Sequence, residues 1–163
     1  MPILVSDTSV LIDLERGDLL EDLFRLPFEF AVPDLLFVRE LAGDLGDRLT
    51  ALGLRVEELS PAELIRATTI RRQRVNLSTP DTFAFAIAES RKWTLLTGDG
   101  GLRELATSVG LEMHGVLWIF DQLADGNHLG FDRLHAGLTT ISAHPRCRLP
   151  ATEVRRRLNR FRT

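Results

Sequence analysis

Two hydrophobic rhythms alternate along the chain. Short apolar runs at residues 3–6, 28–32, 54–57, 93–97 and 112–115 predict strands, and the segments between them carry helical spacing. Such alternation predicts an α/β fold around a mostly parallel sheet. Helix starts are well marked. Pro33-Asp34 precedes LLFVREL, with Asp34 expected as the N-cap. Ser60-Pro61-Ala62-Glu63 reads as a capping box with proline in the first turn, opening a helix that runs to about Arg74. Ser78-Thr79-Pro80-Asp81 repeats that grammar before TFAFAIAES, a helix apolar almost all round and therefore expected to be buried. Beyond residue 116, VLWIFDQLA, FDRLHAGLTTI and TEVRRRLNRFR predict three more helices, with His144-Pro145 and Leu149-Pro150 breaking the last connection.

Composition narrows the class. A length of 163 residues with 44% hydrophobic and 26% charged residues suits one globular domain. The single cysteine, Cys147, allows no internal disulfide and suits a reducing compartment. No apolar run approaches the roughly 20 residues of a membrane span, and Asp7 interrupts the N-terminal run where a signal peptide would continue. A cytoplasmic protein with no membrane association is expected. The net charge of −3 is unevenly spread: residues 1–60 hold 13 acids against 5 arginines, whereas residues 141–163 hold 7 arginines and one acid.

Within this pattern four acids stand out by position. Asp7 closes the first predicted strand in VSDTSVLIDL, and Asp99 follows the fourth in TLLTGDGGL. The carboxyl ends of strands in open parallel sheets are where sites form. Glu40 sits about two turns into the helix after the second strand, and Asp81 lies in the first turn of the buried helix. Each has a simpler reading: Asp7 as a helix cap, Asp81 as the acid of its capping box, Asp99 as turn chemistry before two glycines, Glu40 as a solvated helix residue. Asp13, six residues after Asp7, reads as an exposed or supporting residue. Brought together, however, the acids would need cations, because two carboxylates about 4 Å apart repel by roughly 4 kcal/mol at an effective dielectric near 20. Oxygen ligands select Mg²⁺ or Mn²⁺, and the four histidines show no metal-ligand spacing, which argues against zinc.

VSDTSVLIDL, the VREL containing Glu40, STPDTFAFAIAES and LLTGDGGLRELA, in this order, resemble a PIN domain over roughly residues 2–120. More narrowly they resemble the PIN ribonucleases of type II toxin–antitoxin pairs, the VapC-like group, in a subgroup with a short helical C-terminal extension. The resemblance implies a three-layer α/β/α fold with a central parallel sheet of about five strands. It places the nuclease domain at residues 1–125 and a helical, Arg-tailed extension at 126–163, within one globular unit. The last 20 residues are also open to a reading as an arm. Carried over residue by residue, it makes Asp7, Glu40, Asp81 and Asp99 the catalytic, metal-holding set. Asp7 and Asp99 would hold the principal Mg²⁺ or Mn²⁺, Glu40 and Asp81 would complete a site for one or two ions, and Thr8 or Ser9 would add a hydroxyl. The absence of a further side-chain ligand in the Gly100-Gly101 loop bears on the second ion.

The activity so implied is endoribonuclease hydrolysis by a metal-activated water, leaving 5′-phosphate and 3′-hydroxyl ends. An RNA substrate, a small antitoxin partner and a homodimer are implied as well. An acidic site cannot attract RNA by itself, so phosphate contacts are expected from Arg66, Arg71, Arg72, Arg74 and from Arg155, Arg156 and Arg157. Each cluster can also be a solvated helix face. Two other readings keep the fold, a catalytically silent PIN-fold binding or scaffold protein and a DNA-directed nuclease. A phosphatase built on a strand-end aspartate falls behind, because Ser9 stands where its second aspartate would be.

Overall fold

A computed structural model describes residues 1–162; Thr163, the last residue of the expected extension, lies outside them. Five strands, β1 (Ile3–Ser6), β2 (Glu29–Pro33), β3 (Arg55–Glu57), β4 (Thr94–Leu96) and β5 (Met113–His114), form one sheet in the order β3-β2-β1-β4-β5. All four pairings are parallel, with Leu4 opposite Phe30 and Val5 opposite both Ala31 and Leu95. The chain builds outward from β1 to β2 and β3, then returns to add β4 and β5 on the other side. The order therefore reverses between β1 and β4, and the carboxyl ends of these two strands flank the crevice where α/β sheets bind ligands.

Helices cover both faces. Side chains alternate along each strand, so Leu4, Phe30 and Leu96 enter one core and Val5 and Leu95 the other. The second core is closed by α5 (Pro61–Gln73), α6 (Thr79–Arg91) and α7 (Gly100–Val109). In α6, Ala84, Phe85, Ala86, Ile87 and Ala88 are all buried, as its all-round apolarity predicts; the three alanines let the helix lie close on β1, β2 and β4. The first core takes α1 (Thr8–Arg16), α2 (Leu20–Leu23), α8 (Val116–Asp125), α9 (Phe131–Ala143) and α10 (Ala151–Phe161). This is the three-layer α/β/α arrangement with a five-stranded parallel sheet.

Some local expectations shift. The predicted helix over LLFVREL starts as a single turn, α3 (Asp34–Leu36), and continues as a π-helical turn over Phe37–Leu41 that carries Glu40. Pro33 occupies the N-cap position instead of Asp34, whose Oδ1 accepts a 2.7 Å bond from the Leu35 N–H. Two helices without sequence signals appear, α2 and α4 (Asp44–Leu52); neither has a side-chain cap, and Gly43 enters α4 at φ 112°.

Residues 144–162 are anchored to the core and do not form an arm. Val154 and Phe161 are buried in the same cluster as Leu4 and Phe120, and Phe161 lies 6.2 Å from Phe120 and 5.5 Å from Phe131, centroid to centroid. Arg157 pairs with Asp121 through two bonds of 3.0 and 2.8 Å, tying α10 to α8. α9 in turn packs on α1 through glycines. A Cβ on Gly137 would stand 3.0 Å from the Gly17 carbonyl oxygen, and one on Gly17 would stand 2.8 Å from Ile141 Cδ1. The helix that begins at Asp7 is thus clamped, at its far end, to the C-terminal helices.

Candidate active site

Asp7 extends β1 by one more ladder bond, its N–H reaching the Leu96 carbonyl at 2.9 Å. Its side chain is 3% exposed and accepts four hydrogen bonds. Oδ1 takes the Ser9 hydroxyl and the Val10 N–H, both at 3.0 Å; Oδ2 takes the Thr97 hydroxyl at 2.6 Å and the Gly98 N–H at 3.3 Å. The Val10 bond makes Asp7 itself the N-cap of α1. Neither neighbouring hydroxyl caps the helix, since Thr8 donates to Glu40 Oε2 and Ser9 donates to Asp7. Burial pushes the Asp7 carboxyl above its ordinary value, and the four donors work against that shift.

Asp99 repeats the device one strand over. Its Oδ2 accepts the Leu102 N–H at 2.9 Å and caps α7, while its own N–H donates to the Thr97 hydroxyl at 3.0 Å. Asp81 stands in the first turn of α6, whose cap is Ser78 Oγ accepting the Asp81 N–H at 3.2 Å. At Ser60 and Glu63 the capping box closes in both directions. At Ser78 the return bond to the backbone N–H is not made, which leaves the Asp81 carboxylate to the cavity. Burial, then the negative charges of Asp7, Asp99 and Glu40, push Asp81 up to about 6, against a hydrogen bond with Ser78.

These four acids, with Thr8 and Ser9, line one cavity of about 680 Å³. Asp13 lines it too; burial raises its carboxyl, Arg16 opposes the shift and Asp7 adds to it. Helix starts at Thr8, Thr79 and Gly100 also face this space, and their N-terminal dipole ends favour anionic groups there. Among the described residues, no three Asp, Glu, His or Cys side chains stand close enough together to hold an ion as they are. The site is a ring of carboxylates around a cavity. As a donor set it fits a hard divalent cation: every side-chain donor is oxygen, no histidine lines the cavity, and three carboxylates raise the fourth. Asp7, Glu40, Asp81 and Asp99 are the residues that would hold it.

The arginines are distributed differently from expectation. None of Arg66, Arg71, Arg72, Arg74, Arg155, Arg156 and Arg157 lines the cavity. Arg66 grips Glu89 through bonds of 2.8 and 3.1 Å, Arg71 holds the Val75 carbonyl at 3.0 Å, and Arg156 and Arg157 pair with acids of their own region. Arg72, Arg74 and Arg155 carry no ion pair among the described residues. Arg16, Arg146 and Arg148 are the ones that line the cavity.

Thr97 is a further site residue, one that lies within LLTGDGGLRELA without being among the expected site residues. It is fully buried, and its single hydroxyl donates to Asp7 and accepts from Asp99, joining the two strand-end acids. Thr97→Val keeps the shape and removes the link, leaving the half-buried Asp99 N–H without its partner. The expected cost is about 2 kcal/mol, and the expected loss of cleavage is about 10- to 100-fold, as for other groups that orient ligands. Thr97→Ser restores both. Calorimetric melting and cleavage rates of the two variants check this; equal behaviour of Val and Ser would show that the hydroxyl has no part in the site.

Asp81 offers a test of the cavity's electrostatics. Its folded value lies above the ordinary 3.8, so its ionisation is harder in the folded state. That penalty is absent below about pH 4, grows up to about pH 6 and is complete above it. Asp81→Asn should therefore melt above the parent at pH 7.5 without divalent cations, and the two should converge near pH 4. With the side chain partly exposed, solvent screening leaves on the order of 1 kcal/mol, or about 2–4 °C. Mn²⁺ should then raise the melting temperature of the parent and not of the variant.

Strand-end carboxylates at the reversal point of a parallel α/β sheet define the class, a fold with an acidic crevice suited to a divalent cation. The sequence model of the family DUF3368, described as a PIN domain, matches residues 3–163, so the chain belongs to the PIN-domain family. PIN domains are in general metal-dependent nucleases. No curated protein matches the chain. No described helix is long and apolar enough to cross a membrane.

Proposed function

We propose that the protein is a Mg²⁺- or Mn²⁺-dependent endoribonuclease whose site is formed by Asp7, Glu40, Asp81 and Asp99. The observation that carries this reading is the convergence of four carboxylates from four separate segments on one cavity, where burial and then the charges of the other three raise Asp81 to about 6. A folded chain tolerates such a cluster where a cation offsets it. When bound, the cation supplies charge neutralisation at the phosphodiester and a lowered pKa for an attacking water. The chain's own part is to hold the acids rigid. Asp7 is fixed by four donors and Asp99 by its cap, so their oxygens keep their places while substrate enters. Asp81 and Glu40, which cap no helix, stand on the other walls of the cavity.

Purified protein should cleave single-stranded RNA with Mg²⁺ or Mn²⁺ and stop on chelation with EDTA, resuming when the metal is returned. Products with 5′-phosphate ends support hydrolysis by water. Faster cleavage of single-stranded DNA would move the substrate class to DNA, and inertness toward both, alongside tight binding of a protein, would move it to the scaffold reading. The resemblance of the four motifs extends the proposal to a toxin that pairs with a small antitoxin and acts as a homodimer. An adjacent reading frame for a short DNA-binding protein that co-purifies with this chain supports that role, and light scattering checks the dimer.

A further inference from the structure

The cavity has a basic wall that the acids do not explain. Residues 144–150 join α9 to α10, and from this connection Arg146 and Arg148 reach the cavity lined by Asp7 and Asp81. The connection is anchored. The Cys147 N–H donates to the His144 carbonyl at 2.9 Å, the Arg146 N–H donates to His144 Nδ1 at 3.0 Å, and Cys147 and Leu149 pack against the buried core. Cys147 and Leu149 pack against the core, whereas Arg146 and Arg148 are exposed. Neither has an ion pair among the described residues, unlike Arg157 and Arg160 on the following helix. Two guanidiniums with no internal carboxylate, held beside the acids of the cavity, leave their forks to an anion from outside.

We propose that Arg146 and Arg148 bind the substrate's phosphates beside the acidic centre, so that the C-terminal segment supplies half of the substrate site. This rests on the nuclease reading for the identity of the anion, a single RNA strand. Asp7 is only 3% exposed, so a flexible single strand suits the site better than a duplex. The two arginines hold phosphates next to the bond to be cut, and the reacting phosphate would lie over the carboxylates and the cation they would hold.

The test compares the full chain carrying Asp7→Asn, which binds without cutting, with the same chain carrying Asp7→Asn, Arg146→Gln and Arg148→Gln. Binding of a short labelled single-stranded RNA is followed by fluorescence anisotropy across a range of NaCl concentrations. The added substitutions should raise Kd at least about tenfold and flatten the slope of log K against log salt by about 1.4, roughly 0.7 per phosphate contact on a single strand. In the otherwise unchanged chain, R146Q/R148Q should raise KM far more than it lowers kcat, leaving the Mn²⁺ isotherm and the melting temperature as they were. Equal Kd and slope in the two proteins would overturn the assignment. Tighter binding by the Gln variant would also overturn it, because the segment would then be a strap over the acids. Failure of the nuclease reading is separable: a parent that never cuts, but whose RNA binding falls with these substitutions, keeps the arginine assignment and loses the activity. A parent that cuts, with R146Q/R148Q cutting alike at every RNA concentration, does the reverse.

Discussion

On the proposed endoribonuclease reading, Asp7→Asn should abolish RNA cleavage, by at least about 10³-fold, while the melting temperature should change by only a few degrees. Such a rate loss corresponds to roughly 4 kcal/mol, the order of the charge stabilisation that a cation held at this position would supply. Stability changes little because two effects oppose each other. The amide removes a buried charge whose carboxyl burial already pushes upward. It also sets an NH₂ against a backbone donor whichever way it sits, because the Val10 N–H donates to one carboxylate oxygen and the Gly98 N–H to the other. Cleavage assays with Mn²⁺ and scanning calorimetry on the same preparation separate the two consequences. A variant that cuts at the parental rate sinks the acidic site. One that fails to cut only because it is unfolded at the assay temperature shows itself in the calorimeter.

Phe161→Ala should be the most damaging single change far from the cavity. The ring is fully buried, stacked with Phe120 and tilted against Phe131, and its removal leaves a void between three helices. A loss of about 3–5 kcal/mol follows, or roughly 10 °C in melting temperature for a chain of this length. Chemical denaturation monitored by far-ultraviolet circular dichroism checks it. The denaturant slope should stay constant while the midpoint falls. A loss under about 1 kcal/mol would mean that the last helix is an appendage after all.

The parts legible in the sequence are those written locally. An acid just past an apolar run announces the end of a strand, so Asp7 follows β1 directly and Asp99 lies three residues past β4. The buried α6 and its Ser78 cap are equally plain. Nothing local, by contrast, says that Glu40 and Asp81 meet those strand ends; only their order along the chain, matched to a family, carries that expectation. Runs such as Arg155-Arg156-Arg157 catch the eye in the sequence, yet none of their residues lines the cavity. The shorter Arg146-Cys147-Arg148 gains meaning only from the fold, which packs Cys147 against the core and leaves both arginines exposed at the cavity. The tail's charge likewise hides a stripe. Val154, Leu158 and Phe161 are spaced four and three residues apart, which is one face of a helix, and that face enters the core. Thr97 sends no signal because its importance lies in two bonds to other residues of the site.

The double duty of Asp7 and Asp99 has a consequence for descent. Both carboxylates cap helices, so a descendant that gave up cutting would still be under pressure to keep Asp, or to accept only Asn or Ser, at these positions. Glu40 and Asp81 cap nothing, and Asp81 stands under repulsion from its neighbours. Selection for folding alone would let these two drift first. In any set of related chains, then, positions 40 and 81 are the sharper record of whether the chemistry is still in use, and in this chain both acids remain.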